Sequence, residues 1–382
     1  MSIEPLRALP IEQLRRRRSV KWRAYPEDVL PLFVAETDYP LAPAVTRVLA
    51  DALALGDTGY TPGDPGIGEA YAGFARRRFG WEVDPAGIRT TGDVIMGVVE
   101  LLRRVIRPGD RVIVTPPVYP PFFEAVPEAG GVVDPVPLIE TEAGFELDLP
   151  GIEAAFAGGA RAILLCNPHN PTGTVHSAQA LRALAEVAAG FGAAVISDEI
   201  HAPLAGRGFT PFLAASAVAG RIGYTVTSAS KAFNLAGLKC ALMVTAHDST
   251  AAVVAGLPDE VRWRTGLFGA LAGTAAFGAG SDAWLDALLA AVAANHRLLV
   301  ELLAAHVPGA RFRIPDAGYL AWVDLSALGW GRDPAGRILR EARVALHRGP
   351  QFGQGGEGRV RINVGCAPEV LSEAVRRIGA LL

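Results

Sequence analysis

The amino-acid sequence predicts an α/β fold in which a mainly parallel sheet is flanked by helices on its faces. Two observations support this prediction. Short, apolar, strand-like runs alternate with Ala/Leu-rich stretches through most of the middle of the chain, and those stretches have the apolar spacing of helices. Such alternation is typical of α/β proteins. The chain of 382 residues is long enough for a large domain of this class and a smaller companion.

The strand-like runs are the first elements that the pattern defines. They are RVIVTPP (111–117), GVVDPVPL (131–138), RAILLCNP (161–168), GAAVISDEI (192–200), RIGYTVTS (221–228) and LKCALMVT (238–245). Between several of them lie segments such as SAQALRALAEVAAGFG (177–192), whose apolar spacing suits a helix that ends at a glycine.

The two ends of the chain have a different pattern. The first 40 residues are irregular and rich in Pro and Arg, and residues 281–306 have the composition of a long Ala/Leu helix. Strand-like pieces lie on both sides of a helical segment at 334–345, which predicts a second, α+β layer. We therefore expect a large domain at 41–280 and a small domain formed by 1–40 and 281–382.

Composition and charge narrow the class of protein. Half of the residues are hydrophobic and 20% are charged, and the formal net charge is −3, from 36 basic and 39 acidic residues. This balance gives no general attraction to nucleic acid. The basic stretch LRRRRSVKWR (14–23) is better interpreted as a solvated helix face or a subunit contact. We expect a protein that acts on small molecules, without a nucleic-acid partner.

The expected compartment is the cytoplasm. The three cysteines are far apart and form no C-x-x-C pair, which is typical of a reducing environment. The first residues lack the apolar core of a signal peptide, and no stretch approaches the roughly 18 uninterrupted apolar residues of a membrane span. The sequence therefore predicts a soluble protein without a membrane partner.

Polar loops follow several predicted strands, at the positions where sites form in open α/β sheets. After RAILLC comes NPHNPTGTVHS (167–177), in which two Asn-Pro dipeptides and a glycine predict a rigid, non-helical turn. Such a turn can hold Asn170 in one orientation. The alternative is a plain connection between a strand and a helix.

A pair of carboxylates, Asp198 and Glu199, lies at the end of the run AAVISDEIH. Consecutive strand residues face opposite ways, so only one of the two acids can point into a given site. An acid that is shielded from water there could pair with a cationic nitrogen. The alternative is an aspartate that caps a helix.

The stretch TSASK places the hydroxyls of Thr227, Ser228 and Ser230 just before Lys231. Hydroxyls and backbone N–H groups at such a turn can hold a phosphate, and a desolvated lysine can attack a carbonyl. Together the three loops supply an amine, phosphate donors, a carboxylate and a neutral hydrogen-bond donor. Pyridoxal 5'-phosphate (PLP) needs these groups, because it carries an aldehyde, a phosphate, a pyridine nitrogen and a phenolic oxygen.

In this order, NPHNPTG, SDEIH and TSASKAFNLAGLK resemble the motifs of fold-type I PLP-dependent enzymes in the aminotransferase class I/II superfamily. The resemblance runs from about VAETDYP (34–40) to RVRINVG (359–365) and implies the aspartate aminotransferase-like fold. Within the superfamily, the stretches most similar to the MalY/PatB subfamily of cystathionine β-lyase-like carbon–sulfur lyases are LPLFVAETDYPLAPAV (30–45), GYTPGD (59–64), SDEIHAPL (197–204) and SKAFNLAGL (230–238).

The resemblance implies a role for each matched residue. Lys231 would hold the cofactor as a Schiff base and move the Cα proton, and Asp198 would keep the pyridine nitrogen protonated. Asn170 would hydrogen-bond the phenolic oxygen, and Tyr119 in TPPVYPPFF would stack on the ring. His201 is expected in the cofactor site, where aspartate-type aminotransferases usually carry a tyrosine.

For the cofactor phosphate, the resemblance implies binding by side-chain hydroxyls, by the backbone of the turn TTGDVIMG (90–97) and by a partner subunit. The residues concerned are Ser228, Ser230, Asp93, Val94 and Tyr60. The carboxylate of Asp93 would repel a phosphate, so either this side chain points away or the turn is placed differently.

Two cationic residues complete the expected site. Lys239 stands where aminotransferases carry a phosphate-binding arginine, so its charge could serve the phosphate, although the planar fork of a guanidinium is lost. Arg361, in RVRINVG, matches the arginine that binds the substrate carboxylate, a task for which that fork is suited. No metal is expected, because His169, His176 and His347 lack the spacing of metal ligands.

The implied reaction is α,β-elimination from L-cystathionine or a related cysteine S-conjugate, which gives a thiol, pyruvate and ammonia. Two alternatives remain. An aminotransferase with a 2-oxo acid acceptor begins with the same removal of the Cα proton, and a PLP-binding regulatory protein with weak lyase activity would carry the same motifs. The resemblance also implies a homodimer with its active site at the subunit interface and a small amino-acid substrate.

Overall fold

The structure is a computed structural model that describes residues 4–61, 64–206 and 208–382. Contacts between residues divide the chain into two compact units. The larger unit contains Leu41–His169 and Thr174–Asp282. The smaller unit contains the described residues up to Pro40, together with Asn170–Gly173 and Ala283–Leu382. The loop NPHNPTG therefore contributes residues to both units.

Strands are found in both units. In chain order they are β1 (Leu30–Pro31), β2 (Ile88–Thr91), β3 (Arg111–Val114), β4 (Val132–Pro135), β5 (Ile139–Thr141), β6 (Gly144–Glu146), β7 (Ala162–Cys166), β8 (Ala194–Asp198), β9 (Gly223–Thr227), β10 (Ala241–Val244), β11 (Arg311–Phe312), β12 (Leu320–Asp324), β13 (Val344–Ala345), β14 (His347–Arg348) and β15 (Arg359–Asn363).

The α-helices likewise occur along the whole described chain. They are α1 (Ile11–Leu14), α2 (Val20–Arg23), α3 (Pro43–Leu55), α4 (Ile67–Phe79), α5 (Val94–Val105), α6 (Phe122–Glu128), α7 (Leu149–Ala157), α8 (Ala178–Gly190), α9 (Ala217–Ile222), α10 (Asp248–Ala255), α11 (Asp259–Trp263), α12 (Leu267–Phe277), α13 (Asp282–His306), α14 (Pro334–Ala342) and α15 (Pro368–Gly379).

The larger unit is built on a sheet with the strand order β2-β10-β9-β8-β7-β3-β4. Strand β10 runs antiparallel to both of its neighbours, and the other pairs are parallel. The predicted α/β class is thus confirmed, and each of the six strand-like runs contains a strand. Strands β7 and β9 are buried along their whole length, as expected for apolar strands that are covered on both faces.

One strand of this sheet was not among the predicted runs. Strand β2 has the sequence IRTT, in which Arg89 is exposed and the other three residues are buried. Four residues with a single large apolar side chain give no periodic signal. The strand forms because its backbone pairs with β10, from Ala241 opposite Thr91 to Val244 opposite Ile88.

The smaller unit has an antiparallel sheet of β11, β12, β15 and β14, in that order, and a parallel pair of β1 and β13. Its core includes Leu299, Val323, Val360, Ile362 and Leu371, all at most 2% exposed. The predicted second α+β layer is therefore present. The N-terminal stretch, expected to be irregular, contains the short helices α1 and α2.

Helix α13 is the long Ala/Leu helix that the sequence predicts. By length and composition alone, the segment Ala279–His306 would suit a membrane span, but 39% of its most apolar window is buried inside the protein. Asn295 on this helix is 3% exposed and donates hydrogen bonds from Nδ2 to the carbonyls of Val364 and Cys366, both at 2.8 Å. These contacts are those of a helix packed within a folded unit.

Candidate active site

Three of the predicted motifs meet at one edge of the sheet in the larger unit. Strands β7, β8 and β9 are parallel neighbours, with Cys166 opposite Asp198 and Asp198 opposite Val226. Their carboxyl ends therefore bring the start of NPHNPTG, the acid of SDEIH and the turn TSASK side by side. Sites in open α/β sheets form at this kind of edge.

Asp198 is 3% exposed. Among the described residues, its carboxylate accepts one hydrogen bond, from the N–H of Ile200 to Oδ1, at 3.0 Å. Burial raises the pKa of Asp198 to about 7, and the Ile200 N–H and the charge of Lys231 oppose that rise. A buried carboxyl with so little compensation would gain from a cationic group placed against it.

Glu199 faces away from Asp198, as alternation along a strand requires. Its Oε1 accepts hydrogen bonds from the backbone N–H of Phe212 at 2.7 Å, from Ser197 Oγ at 3.0 Å and from Asn167 Nδ2 at 3.5 Å. Burial raises the pKa of Glu199 to about 8 against these bonds. Glu199 thus ties three segments of the larger unit together, and Asp198 is the acid left for the site.

Lys231 lies half-buried in the turn that follows β9. The Oγ of Ser228 donates to the carbonyl of Cys240 at 2.6 Å and accepts from the N–H of Ser230 at 3.1 Å. The N–H of Leu235 closes the turn on the carbonyl of Ser230. In this structure the Ser228 hydroxyl shapes the turn that presents Lys231, and its contact with a phosphate stays a prediction.

Only three lysines occur in the sequence: Lys21, Lys231 and Lys239. Lys21 is 1% exposed and its ammonium is 2.8 Å from Asp38 in the smaller unit. Lys239 is paired with Asp93 at 2.9 Å. Lys231 alone among them lies close enough to Asp198 to influence its pKa. The amine expected from the sequence therefore lies beside the carboxylate expected from the sequence.

The contacts of Asp93 explain how a carboxylate fits the turn TTGDVIMG. Its Oδ1 accepts from the N–H of Met96 at 2.9 Å, which caps the N-terminus of α5, and its Oδ2 accepts from Lys239 Nζ. Both oxygens are thereby turned toward the protein. Val94, the first residue of α5, is 4% exposed. The backbone N–H groups at this helix start are the part of the turn that suits an anion.

Tyr119 follows β3 in a loop that is held by a hydrogen bond to a histidine. The ring of His169 is 1% exposed, and its Nε2 is 2.8 Å from the carbonyl of Pro117. Burial lowers the pKa of His169 to about 4, so the ring is neutral and donates its Nε2 hydrogen to that carbonyl. From the sequence, His169 was considered only as a metal ligand and was rejected on its spacing. Its place inside NPHNPTG was the available signal for a supporting role.

Two other predicted residues of the larger unit differ in exposure. His201 is 6% exposed and precedes a short 3-10 helix, Ala202–Leu204. Tyr60 is 89% exposed, and its ring meets the ring of Trp263 edge to face at 6.1 Å. Tyr60 therefore projects from the larger unit instead of joining its core.

The smaller unit holds Asn170 and Arg361, both buried. Arg361 lies in the middle of β15, and its Nη1 donates to Asn170 Oδ1 at 2.9 Å. Its Nη2 donates to the carbonyl of Phe33 at 3.1 Å and to His347 Nδ1 at 2.8 Å. Two residues that are 191 positions apart in the sequence are thus bonded directly, and His347 is a contact that the sequence gave no reason to expect.

The residues of the larger unit fit PLP. Lys231 would supply the amine, the under-compensated carboxylate of Asp198 suits a protonated pyridine nitrogen, and the N-terminus of α5 and the TSASK turn suit a phosphate. No group of three or more potential metal ligands occurs among residues 4–61, 64–206 and 208–382.

Known proteins show the same arrangement of sequence and fold. Residues 27–378 match the family described as aminotransferase class I and II. A protein of Mycobacterium leprae with the provisional name cystathionine beta-lyase is 43% identical, with 100% of this chain and 99% of that protein covered. The cystathionine beta-lyase of Corynebacterium glutamicum is 36% identical, over 97% of this chain and 99% of its own length.

A solved structure gives the same result for the fold. The crystal structure of the PLP-bound C-S lyase from Staphylococcus hominis superposes with a TM-score of 0.87 and 26% sequence identity, and covers 96% of this chain and 95% of its own. Matches of this extent place both units of the protein in one family. The chain belongs to the aminotransferase class I and II family.

Proposed function

We propose that the protein is a PLP-dependent carbon–sulfur β-lyase that acts on L-cystathionine or a related cysteine S-conjugate. One observation in the structure carries the proposal: Lys231 lies beside Asp198, a buried carboxyl that lacks a full ionic partner among the described residues. Similarity over nearly the full length to proteins named cystathionine beta-lyase supports the choice of reaction. PLP, when bound, draws electrons from the Cα of an amino acid.

Asp198 would hold the proton of the pyridine nitrogen. A cation beside the buried carboxyl favours its ionised form, so the pair is stable where water is excluded. The Ile200 N–H fixes one carboxylate oxygen at 3.0 Å, which limits rotation of the side chain. Glu199 maintains the end of β8 through its three hydrogen bonds.

Lys231 would provide the amine that binds the cofactor aldehyde and, when free, the base that takes the substrate Cα proton. An amine suits this task because it exchanges a proton near neutral pH once it is partly desolvated. The half-buried position of Lys231 and the short turn from Ser228 to Leu235 support this role.

Arg361 would bind the α-carboxylate of the substrate, since a guanidinium can donate two parallel hydrogen bonds to a carboxylate. Asn170 accepts from Arg361 through Oδ1, and its amide nitrogen would donate to the phenolic oxygen of the cofactor. Tyr119 would stack on the ring and His201 would lie beside it. We propose the domains at 41–280 and at 1–40 with 281–382 as the functional division of the chain.

The phosphate is proposed to bind to the start of α5 at Asp93 and Val94 through backbone N–H groups, and to Ser228 and Ser230. The pairing of Lys239 with Asp93 supports an indirect role for the lysine, which neutralises the carboxylate next to the phosphate.

A homodimer is also proposed, in which Tyr60 contributes to the partner subunit's phosphate site. Support comes from large apolar side chains that are exposed in the larger unit, two of which, Tyr60 and Trp263, are in edge-to-face contact. The exposed side chains are Leu53 (64% exposed), Leu55 (83%), Tyr60 (89%) and Trp263 (51%). A cytoplasmic location remains part of the proposal and is consistent with three free cysteines.

The test supplies purified protein with L-cystathionine and water, without a 2-oxo acid, and measures pyruvate, ammonia and homocysteine together. Steady release of all three in equal amounts is the expected result, because elimination followed by hydrolysis consumes one water for each cystathionine. Product that appears only after 2-oxoglutarate is added, without release of thiol, would identify an aminotransferase and overturn the lyase.

A further inference from the structure

The guanidinium of Arg361 lies between two cross-strand neighbours. In the antiparallel sheet of the smaller unit, Arg361 is directly opposite His347 on β14 and directly opposite Trp322 on β12. Residues that are paired in this way project from the same face of a sheet. The backbone register therefore places an imidazole and an indole on either side of the arginine side chain.

An aromatic cluster encloses the same guanidinium. The Cζ of Arg361 is 5.1 Å from the ring centre of Phe352, which is fully buried. The ring of Phe352 lies 4.7 Å from that of His347 and 5.1 Å from that of Trp322. Aromatic faces attract cations, and this arrangement restricts how far the guanidinium can tilt.

The hydrogen bond between Arg361 and His347 defines the state of the imidazole. A guanidinium only donates, so Nδ1 of His347 must be the acceptor and the ring must be neutral, with its hydrogen on Nε2. Burial, and then the charge of Arg361, lower the pKa of His347 to about 3. The imidazole is therefore a permanent acceptor at neutral pH.

We propose that His347 is a positioning residue that fixes the guanidinium of Arg361 in the orientation that receives a substrate α-carboxylate. This proposal rests on the carboxylate role of Arg361 in the proposed function. The long arginine side chain loses rotational freedom when it is ordered, and contacts to His347, Phe33 and Asn170 impose that order before the substrate arrives. His347 thus strengthens carboxylate binding without touching the substrate.

Two variants separate the acceptor from the bulk of the ring. In H347N, the amide group occupies the position of Nδ1, so its oxygen can still accept from Arg361. In H347L, a side chain of similar size cannot accept. R361L removes the guanidinium itself and tests the proposed function on which the inference depends.

The experiment uses the PLP-loaded enzyme and follows the cofactor absorbance during titration with L-alanine, which has an α-carboxylate but no leaving group. Ethylamine, which has no carboxylate, is the matched control ligand. We expect H347L to raise the Kd for L-alanine by about 10- to 100-fold, the range for loss of a hydrogen bond to a charged group, and H347N to stay within about threefold. The Kd for ethylamine should not change in either variant.

Steady-state kinetics with L-cystathionine provide the second readout. A positioning role raises KM in H347L with little change in kcat, because binding in the ground state and in the transition state is weakened equally. A merely structural role would lower the melting temperature and the amount of bound cofactor, and would affect both ligands alike.

The outcomes distinguish the two hypotheses. If R361L weakens L-alanine binding and H347L does not, the positioning role is wrong and the carboxylate role stands. If neither R361L nor H347L changes the Kd for L-alanine, the carboxylate role of Arg361 and the positioning role of His347 are both wrong. Weaker binding of L-alanine in H347L and in R361L, together with near-normal binding in H347N, supports both roles.

Discussion

Two buried aspartates, one in each unit, show how differently the protein treats a carboxylate. Asp38 in the smaller unit is 1% exposed and accepts a hydrogen bond from Lys21 Nζ at 2.8 Å. The same ammonium donates to the carbonyl of Glu36 at 3.0 Å. Asp198 in the larger unit is 3% exposed, and among the described residues its carboxylate accepts one hydrogen bond, from a backbone N–H, and has a cation nearby.

The difference is one of internal compensation. Asp38 has its own buried cation, Lys21, and Arg17 donates to the carbonyls of the neighbouring residues Thr37 and Tyr39. These contacts hold in place the segment that also contains Phe33, whose carbonyl accepts from Arg361. A buried charge paired in this way holds a structure together. Burial raises the pKa of both carboxyls, but only Asp38 has a buried ammonium hydrogen-bonded to it. Asp198 has less compensation, which is costly in the folded protein and suits a site that binds a cationic ligand group.

The largest expected effect comes from replacing the amine beside Asp198. We expect K231A to lower the turnover of L-cystathionine by at least about 10⁴-fold, because one side chain both binds the cofactor and moves the proton. Initial rates of pyruvate release measure this effect. Turnover in K231A that exceeds a few per cent of that of the unaltered protein would show that another group is the base.

Asp198→Asn keeps the shape of the side chain and removes its charge. Turnover should fall by about 10²- to 10³-fold, the cost of losing one charged group that stabilises a transition state. The melting temperature should not fall, because the amide oxygen can still accept from Ile200 and a buried negative charge is removed. If the variant is less stable but each folded molecule is fully active, Asp198 has a structural role like that of Asp38 and no role in catalysis.

Asp38→Asn is the matched variant in the other unit. It leaves the Lys21 ammonium buried without its counter-charge, which should lower the free energy of unfolding by about 3 kcal/mol. Urea denaturation at neutral pH measures the loss. Replacing both partners with apolar residues, in K21M/D38L, should recover part of it, and a single variant as stable as the unaltered protein would contradict the structural role.

The smallest effect concerns pH. Burial raises the pKa of Asp198 to about 7 and that of Glu199 to about 8, above their ordinary values. Between about pH 4 and pH 8 these two groups bind more protons in the folded protein without PLP than in the unfolded chain, so their own contribution to stability falls as pH rises. The buried histidines, whose pKa values are lowered by burial, act in the opposite sense up to about pH 6.5. E199Q mimics the protonated acid, so the melting temperature of the unaltered protein relative to that of E199Q should fall between about pH 5.5 and pH 8.5. A difference between the two melting temperatures that does not change with pH would mean that Glu199 is already ionised.

The sequence predicts those parts of the fold and of the site that depend on a short, continuous stretch of residues. The apolar runs at β7, β8, β9 and β10 identify the sheet, because strands that are covered on both faces need continuous apolar sequence. The neighbouring positions of Asp198 and Lys231 follow from the rule that sites form at the carboxyl ends of parallel strands. Alternation along β8 also predicts that Glu199 turns away.

Contacts between residues that are distant in the chain could not be predicted. Strand β2 exists through its pairing with β10, and Lys239 reaches Asp93 across 146 positions. The hydrogen bond from Arg361 to His347 depends on the register of β14 and β15, which no local pattern specifies. The partners that orient a functional group are therefore the part of the site that requires a structure.

Chemical labelling of the lysine that holds the cofactor tests the role of Lys231 directly. The yellow PLP-loaded protein is reduced with borohydride, digested and analysed by mass spectrometry. With only Lys21, Lys231 and Lys239 available, we expect the cofactor to be attached to Lys231. Attachment to Lys239, or no attached cofactor on any lysine of a protein that turns over L-cystathionine, would contradict it.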